Sequence, residues 1–378
     1  MKLRASLMLV AVLSATGCSS LNPFASSGPK LPELPPLGAA AVDVRTAWKA
    51  SVSRAGNYVF TPAVAGDAAF VAGGKGEVLR IENGAVRWKV DVGTPLSGGV
   101  GSDGRRVVVG TPKGEIIALD ADDGRELWRA RVSSEVLAAP AVDAALVVVR
   151  SGDNRIFAFD ADDGRRKWVY QRQTPPLSLR TFAAPLIDGG YVFAGFPGGK
   201  LMAITTNNGA SAWEGTVALP KGTTELDRVA DITSAPVIAG RMICAVAYQG
   251  RVACFDLGSG NLAWARDMSS AVGLAADERH VYIADDKGAV HALDLASGAS
   301  LWKQDKLQQR HLSAPVVVGS RVVVGDMKGL VHLLDRSDGA FVGRLSTDGS
   351  AVLAPPQRQG ERALLQTSGG SVLALDVQ

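Results

Sequence analysis

A tryptophan returns about every forty residues along this chain, and that period leaves few folds open to it. All seven tryptophans lie on the period, with separations of 40, 40, 40, 45, 51 and 38 residues. A glycine stands four residues before six of them; Gly339 continues the glycine series, although Gly343 occupies the tryptophan position that follows. Repeats of this length, with one aromatic residue in each, are typical of β-propeller blades. We expect the tryptophans to pack between adjacent blades.

A second marker repeats independently of tryptophan. Six prolines each precede a short apolar run, and a turn residue follows fourteen positions after each of them; they are Pro62, Pro140, Pro185, Pro236, Pro315 and Pro355. The turn residue is glycine in every case but Asn154, and asparagine is the next best residue at a positive φ. One unit illustrates the four predicted strands: Arg106–Gly110 is the second, the third ends at Asp120 after a turn ending in Gly114, and Trp128 lies on the fourth.

Eight such units fit between about residue 44 and the end of the sequence. We therefore expect an all-β fold: an eight-bladed β-propeller of four-stranded antiparallel blades. The last unit, from Ser350, supplies only three strands, whereas residues 45–50 form a fourth strand without a unit of their own. Pairing of this N-terminal strand with the C-terminal blade would close the ring and remove an open sheet edge.

The N-terminal residues indicate export. A positive start (Lys2, Arg4) and a short apolar run lead to small residues and then Cys18, an order that resembles a bacterial lipobox. The resemblance implies acylation of Cys18, including palmitate, and an anchor on the periplasmic face of the outer membrane. We expect 1–17 to be a cleaved signal peptide, 18–42 a flexible tether rich in Pro, Ser and Gly, and 43–378 the propeller. A secreted protein with an incidental cysteine is the alternative.

The composition argues against several functional classes. The net charge is +3 and no basic run occurs, so we expect no nucleic acid partner. The four histidines lack metal-ligand spacing, and the glycine clusters lack the Lys-Ser/Thr of a phosphate-binding loop. We expect no catalytic residues, no metal site and no cofactor.

Cys244 and Cys254 flank the predicted turn at Gly250. If that turn is a three-residue loop with a glycine bulge, the two cysteines lie opposite each other and could form a disulfide in an oxidising compartment. A register shifted by one residue places them on opposite faces of the sheet, as two small buried apolar residues. Both alternatives stay open at this point.

Two neighbouring repeats carry insertions, at residues 173–180 and 219–231. Both fall between a tryptophan strand and the next proline, so we expect them on the same rim of adjacent blades. They combine leucines with charged residues, a composition typical of interface hot spots. The alternative is a pair of solvent loops with incidental leucines.

The repeat resembles the quinoprotein type, whose enzymes bind pyrroloquinoline quinone and Ca²⁺ on the propeller axis. This chain has no adjacent cysteine pair and mostly short loops, which disfavours a quinone-dependent dehydrogenase. Together, the lipobox, tether, eight repeats and two insertions resemble the BamB family, lipoprotein subunits of the machine that folds β-barrel proteins into the bacterial outer membrane. That resemblance implies a non-enzymatic scaffold within the BAM complex; a generic protein-binding propeller of the cell envelope is the alternative.

The same resemblance implies site residues. In the family, the loop matching Leu177, Leu179 and Arg180 docks onto a periplasmic POTRA domain of BamA. Asp231 matches the first of two family aspartates that form a second contact, and we expect it to orient Arg180 or meet a partner cation. Thr233 stands in place of the second aspartate, and Arg228 is expected to shape the loop. Unfolded outer-membrane proteins are a further implied partner, held by exposed blade edges.

Overall fold

The protein's structure is a computed structural model that describes residues 31–38 and 41–377, and every regular element in them is a β-strand. Blades 1 to 4 comprise β2 (Ala63–Ala65), β3 (Ala68–Ala72), β4 (Glu77–Glu82), β5 (Ala85–Asp91); β6 (Gly101–Ser102), β7 (Arg106–Gly110), β8 (Glu115–Asp120), β9 (Glu126–Arg131); β10 (Ala141–Val142), β11 (Leu146–Arg150), β12 (Ile156–Asp160), β13 (Arg166–Tyr170); β14 (Leu186–Asp188), β15 (Tyr191–Phe196), β16 (Lys200–Thr205) and β17 (Ser211–Thr216). Blades 5 to 8 comprise β18 (Val237–Ala239), β19 (Met242–Val246), β20 (Arg251–Asp256), β21 (Leu262–Asp267); β22 (Leu274–Ala276), β23 (His280–Ala284), β24 (Val290–Asp294), β25 (Ser300–Gln304); β26 (Val316–Val318), β27 (Arg321–Gly325), β28 (Leu330–Asp335), β29 (Phe341–Ser346); β30 (Gln357–Gln359), β31 (Arg362–Gln366), β32 (Ser371–Asp376) and β1 (Arg45–Ser51).

The strands form eight separate four-stranded antiparallel sheets within the described residues, which confirms the predicted propeller. In blades 1 to 7 the strand order follows the chain, as in β2-β3-β4-β5. The first strands of neighbouring blades contact one another, so the first strand of each blade faces the axis and the fourth lies outermost. Middle strands such as β7 and β11 are fully buried, because each is covered by a blade on both sides.

The ring closes as predicted, by pairing the N-terminal strand with the C-terminal blade. In blade 8 the order is β1-β32-β31-β30, with Arg45 opposite Asp376 and Ser51 opposite Ser371. The two ends of the propeller sequence therefore share one sheet, and β32 is paired on both edges.

The tryptophans pack between blades, and each contacts a turn glycine of the following blade. Trp128 of blade 2 donates its Nε1–H to the carbonyl of Ala161 at 3.0 Å. A Cβ on Gly164, in the turn after β12, would lie 2.6 Å from the Trp128 ring. The same close approach of a glycine to a tryptophan recurs in the pairs Trp48–Gly84, Trp88–Gly124, Trp168–Gly209, Trp213–Gly260, Trp264–Gly298 and Trp302–Gly339. The periodic Gly and Trp are thus the two halves of one contact between blades.

Gly343 replaces tryptophan because a different segment covers its position. The last two strands of blade 8, β32 and β1, come from opposite ends of the sequence, so no turn glycine joins them. Val44 packs there instead, and a Cβ on Gly343 would lie 2.6 Å from its side chain. A tryptophan at 343 would displace the entry to β1.

Replacement of Gly164 by alanine tests the blade contact. Gly164 has a φ of +71° and lies against Trp128, whereas Gly189 has a φ of +55° with nothing within 4 Å of an added Cβ. Both substitutions strain the backbone, but only Gly164→Ala also overpacks, so we expect it to cost about 1–3 kcal/mol more than Gly189→Ala. Urea unfolding of both variants measures the difference, and equal midpoints would contradict the contact.

The turn residue after the second strand follows the prediction with two shifts. Asn154 has a φ of +64°, as its place in the series predicts. In two repeats, however, the positive φ falls one residue away from the predicted glycine, on Gln249 instead of Gly250 and on Gly370 instead of Gly369.

Part of the predicted tether lies against the ring. Gly38 N–H donates to the carbonyl of Phe341, and Val42 N–H to that of Val342, each at 2.7 Å. Cys18 and the signal peptide lie outside the described residues, so the division into 1–17, 18–42 and 43–378 stays a prediction. Among residues 31–38 and 41–377, no helix is long and apolar enough to cross a membrane.

Candidate partner-binding site

Both insertions lie on one face of the propeller. The connections from each fourth strand to the next first strand meet around a cavity of about 840 Å³ at one end of the central channel. All eight of these connections contribute to its lining, with one residue from each being Val59, Val100, Ala139, Thr181, Thr233, Ala271, Leu312 and Leu353. We call this end of the ring, which also carries the hairpins between second and third strands, the insertion face.

The two insertions are bonded to each other through Asp231. One carboxylate oxygen of Asp231 accepts the N–H of Leu179 at 2.7 Å, and the other accepts the N–H of Gly198, in the β15–β16 hairpin, at 3.0 Å. The Thr181 hydroxyl donates to the carbonyl of Thr233 at 2.9 Å, beside this contact. The first insertion therefore has a defined conformation in the free protein.

Asp231 has a different place from the one that the resemblance implies. Its side chain makes neither a hydrogen bond nor an ion pair with Arg180, and the residue is only 2% exposed, so it is not offered to a partner cation. Thr233 is also turned inward, and its hydroxyl donates to the carbonyl of Ala271 at 2.8 Å. A carboxylate at position 233 could not make that bond, because it has no proton to donate.

Arg180 is held on the insertion face by residues from two other connections. Its Nε and Nη2 donate to the two carboxylate oxygens of Glu135 at 3.0 and 2.8 Å. The guanidinium also lies 5.5 Å from the centre of the Tyr58 ring, within range of a cation–π contact. The hydrogen bond from Arg180 lowers the pKa of the Glu135 carboxyl, so the pair stays ionised at neutral pH. Sequence reasoning missed Glu135 and Tyr58, which no motif marks.

The leucines of the insertions differ in exposure. Leu177 is 40% exposed, while Leu179 is half-buried at the edge of the channel cavity. On the second insertion Leu219 and Leu226 are 58% and 70% exposed. Arg228, also exposed, donates from Nε to the carbonyl of Gly222 at 3.1 Å, a contact that shapes the loop.

A buried arginine interacts electrostatically with Asp231. Arg150 is 4% exposed and donates to the carbonyl of Gly195 and, at 2.8 Å, to Oδ1 of Asn154. Burial lowers its pKa to about 10, and the negative charge of Asp231 opposes that shift. Asp231 is therefore both an acceptor for two backbone N–H groups and the charge that compensates Arg150.

The cysteines lie away from the insertions, inside blade 5. Cys244 on β19 stands directly opposite Cys254 on β20, with a Cα–Cα distance of 4.1 Å, and a disulfide joins them. This is the register that the first alternative requires, with the two side chains on the same face of the sheet. Both residues are also fully buried. The location of the domain in the periplasm, an oxidising compartment where such a disulfide persists, stays a prediction. No group of three or more His, Cys, Asp or Glu residues suited to a metal ion occurs in the part of the chain that the structure describes.

Comparison with known proteins separates the scaffold from the enzyme alternative. A family described as outer membrane protein assembly factor BamB matches residues 74–304 and 287–378. The BamB of Bordetella pertussis is 44% identical over 374 residues, covering 98% of this chain and 96% of that protein. The crystal structure of BamB from Moraxella catarrhalis superposes with a TM-score of 0.83 at 29% identity, covering 89% of this chain and all of that one.

The quinohemoprotein alcohol dehydrogenase of Comamonas testosteroni also superposes, with a TM-score of 0.70 over 88% of this chain and 76% of that one. Its identity of 14% shows the shared fold alone. The relatives that match over nearly the full length are named as assembly factors, so the comparisons support a non-enzymatic protein. The chain belongs to the BamB family of outer membrane protein assembly factors.

Proposed function

We propose that this chain is a scaffold subunit of the outer membrane protein assembly machinery, anchored through lipids on Cys18 at the periplasmic face of the outer membrane. In this proposal its insertion face docks onto a POTRA domain of BamA and so assists the delivery and insertion of β-barrel proteins. The supporting observation is that Leu177 and Arg180 stand exposed on a loop that Asp231 already holds in place.

Each residue has a separate role in the docking. Leu177 would bury its side chain against the partner, which is worth up to about 1.5–3 kcal/mol. Arg180 uses Nε and Nη2 for Glu135, which leaves the N–H groups of Nη1 for a carboxylate or a backbone carbonyl of the partner. Asp231 contributes by fixing the loop before binding, which lowers the conformational entropy lost on association.

A binding assay with the periplasmic domains of BamA tests the proposal. The parent protein, produced from Ser19 onwards, is compared with Leu177→Ala and Arg180→Ala. We expect each variant to weaken binding about tenfold or more, which corresponds to about 1.4 kcal/mol. Leu262→Ala is the matched control, since Leu262 is a leucine with 52% exposure on the outer strand β21, and it should bind like the parent.

Three results would be informative. Loss of binding in the two variants, with unchanged melting, supports docking through the first insertion. Parent-like binding by both variants would move the contact elsewhere on the ring. Absence of binding by the parent would show that BamA is not its partner, as expected for a generic envelope propeller.

A further inference from the structure

Residues 32–38, here called the strap, are bonded along blade 7. The carbonyl of Pro32 accepts a hydrogen bond from Nη2 of Arg310 at 3.2 Å, and the carbonyl of Pro35 accepts one from Nη2 of Arg344 at 2.9 Å. Gly38 N–H donates to the carbonyl of Phe341 at 2.7 Å. Pro35 is buried, although a proline-rich tether would leave it in water.

The two arginines that hold the strap are themselves fixed by a buried cluster. Arg310, which is 5% exposed, donates to Oδ2 of the fully buried Asp326 at 3.0 Å. Nε2 of His332 lies 3.1 Å from the same oxygen, and Nε of Arg344 lies 3.4 Å from Nδ1 of His332. Blade 7 therefore presents two oriented guanidinium groups to the strap.

The strap sequence suits such a surface. Proline fixes its own φ and restricts the residue before it to extended conformations, so Pro32, Pro35 and Pro36 keep this segment extended. Proline also has no N–H, so its backbone offers carbonyl acceptors only. Two guanidinium donors match two proline carbonyls, and little conformational entropy is lost on docking.

The strap connects the two faces of the propeller. Arg310 lies in the connection between β25 and β26, and Asp326 in the hairpin between β27 and β28, so both are on the insertion face. Phe341 begins β29 at the opposite end of the blade, and β1 also starts at that end, where Arg45 pairs with Asp376. The strap therefore runs along blade 7 from the insertion face to the opposite face.

We infer that blade 7 is a docking site for this chain's own proline-rich segment, and that docking makes the N-terminal chain leave the propeller on the insertion face. An undocked tether would leave from the start of β1, on the opposite face. The consequence rests on the proposed lipid anchor at Cys18. Pro32 is fourteen positions after Cys18, so the exit point stays within about 50 Å of the lipid even with the chain fully extended.

Energy transfer from a dye on the protein to an acceptor lipid in the membrane tests which face of the propeller lies nearer to the membrane. The lipidated full chain is placed in phosphatidylethanolamine–phosphatidylglycerol vesicles that contain an acceptor lipid. A donor dye is attached at Lys113→Cys or at Arg105→Cys, which flank β7 at the insertion face and at the opposite face of the same blade. Both sites are exposed, and the native Cys244 and Cys254 are buried. We expect greater transfer from position 113; equal or reversed transfer would overturn the inference.

Strap variants supply the second readout. Arg344→Ala combined with Gly38→Pro removes two of the strap bonds and should reduce the difference in energy transfer between the two dye positions. Glu33→Ala, at an exposed strap position, should preserve that difference. Hydrogen exchange of the Gly38 amide should be at least tenfold slower in the parent than in Arg344→Ala. Equal exchange in a variant that melts like the parent would contradict strap docking.

These readouts are independent of the proposed function. If the strap docks but the chain has no affinity for BamA, the inference about the strap holds and the proposed partner is wrong. If the chain binds BamA but its Gly38 amide is not protected from exchange, the proposed partner holds and strap docking is wrong. Failure to associate with vesicles would refute the lipid anchor, and with it the predicted difference between the faces.

Discussion

Removal of the last ten residues, 369–378, is expected to abolish cooperative folding of the whole ring. The deletion removes β32, which is paired with β1 on one edge and with β31 on the other. Val372 and Leu375 are fully buried and Leu373 is 4% exposed. Burial of three such side chains is worth about 5–9 kcal/mol, comparable with the total stability of about 5–15 kcal/mol that folded proteins have.

The deletion also breaks the closure of the ring. Without β32, β1 and β31 would each expose an unpaired edge, and the ring would open between blades 7 and 1. Circular dichroism melting should show a broad transition at lower temperature, or none. A circular permutant, with residue 378 linked to residue 43 and new ends at the turn around Gly104, keeps every strand pair and serves as the control. A truncated chain that melts like the parent would show that β32 does not close the ring.

The blades could be predicted from the sequence because the repeated residues make the contacts that hold blades together. Trp128 and Gly164 recur in register since every pair of neighbouring blades needs the same aromatic-on-glycine contact. What the spacing could not show is which glycine meets which tryptophan. Gly124 is four residues from Trp128, yet it packs against Trp88 of the preceding blade. That assignment depends on the order of blades in space.

The insertions were located correctly on one rim, but the direction of their side chains was not predictable. A strand side chain points inward or outward according to its place in the alternation, whereas an irregular loop has no such period. Whether Asp231 faces a partner or the core is decided by the N–H groups of Leu179 and Gly198, which lie 52 and 33 residues away. The contacts of Arg180 with Glu135 and Tyr58 likewise join three separate connections.

The composition of the strap could not predict that this segment docks on blade 7. A stretch rich in Pro, Ser and Gly cannot form its own core, and this predicts a flexible tether. The prediction considers only the segment itself. Arg310 and Arg344, which hold the strap, lie 278 and 309 residues from the carbonyls that they bind.

Replacement of Asp231 by alanine distinguishes a loop-positioning residue from a partner contact. The substitution leaves the N–H groups of Leu179 and Gly198 without their acceptor and leaves Arg150 buried without its compensating charge. Each unsatisfied buried group costs about 1–3 kcal/mol, so we expect a loss of about 2–5 kcal/mol in urea unfolding. Glu225→Ala is the control, since Glu225 is an exposed acid on the same insertion and should change stability by less than about 0.5 kcal/mol.

The same variant should also release the first insertion, because its main anchor to the ring is gone. Hydrogen exchange of the Leu179 amide should accelerate, and binding to BamA should weaken although Asp231 is only 2% exposed. A surface contact would behave differently: Asp231→Ala would then bind poorly but unfold at the same urea concentration as the parent. That outcome would mean that the carboxylate turns outward to its partner and that the bonds to Leu179 and Gly198 do not hold the loop in solution.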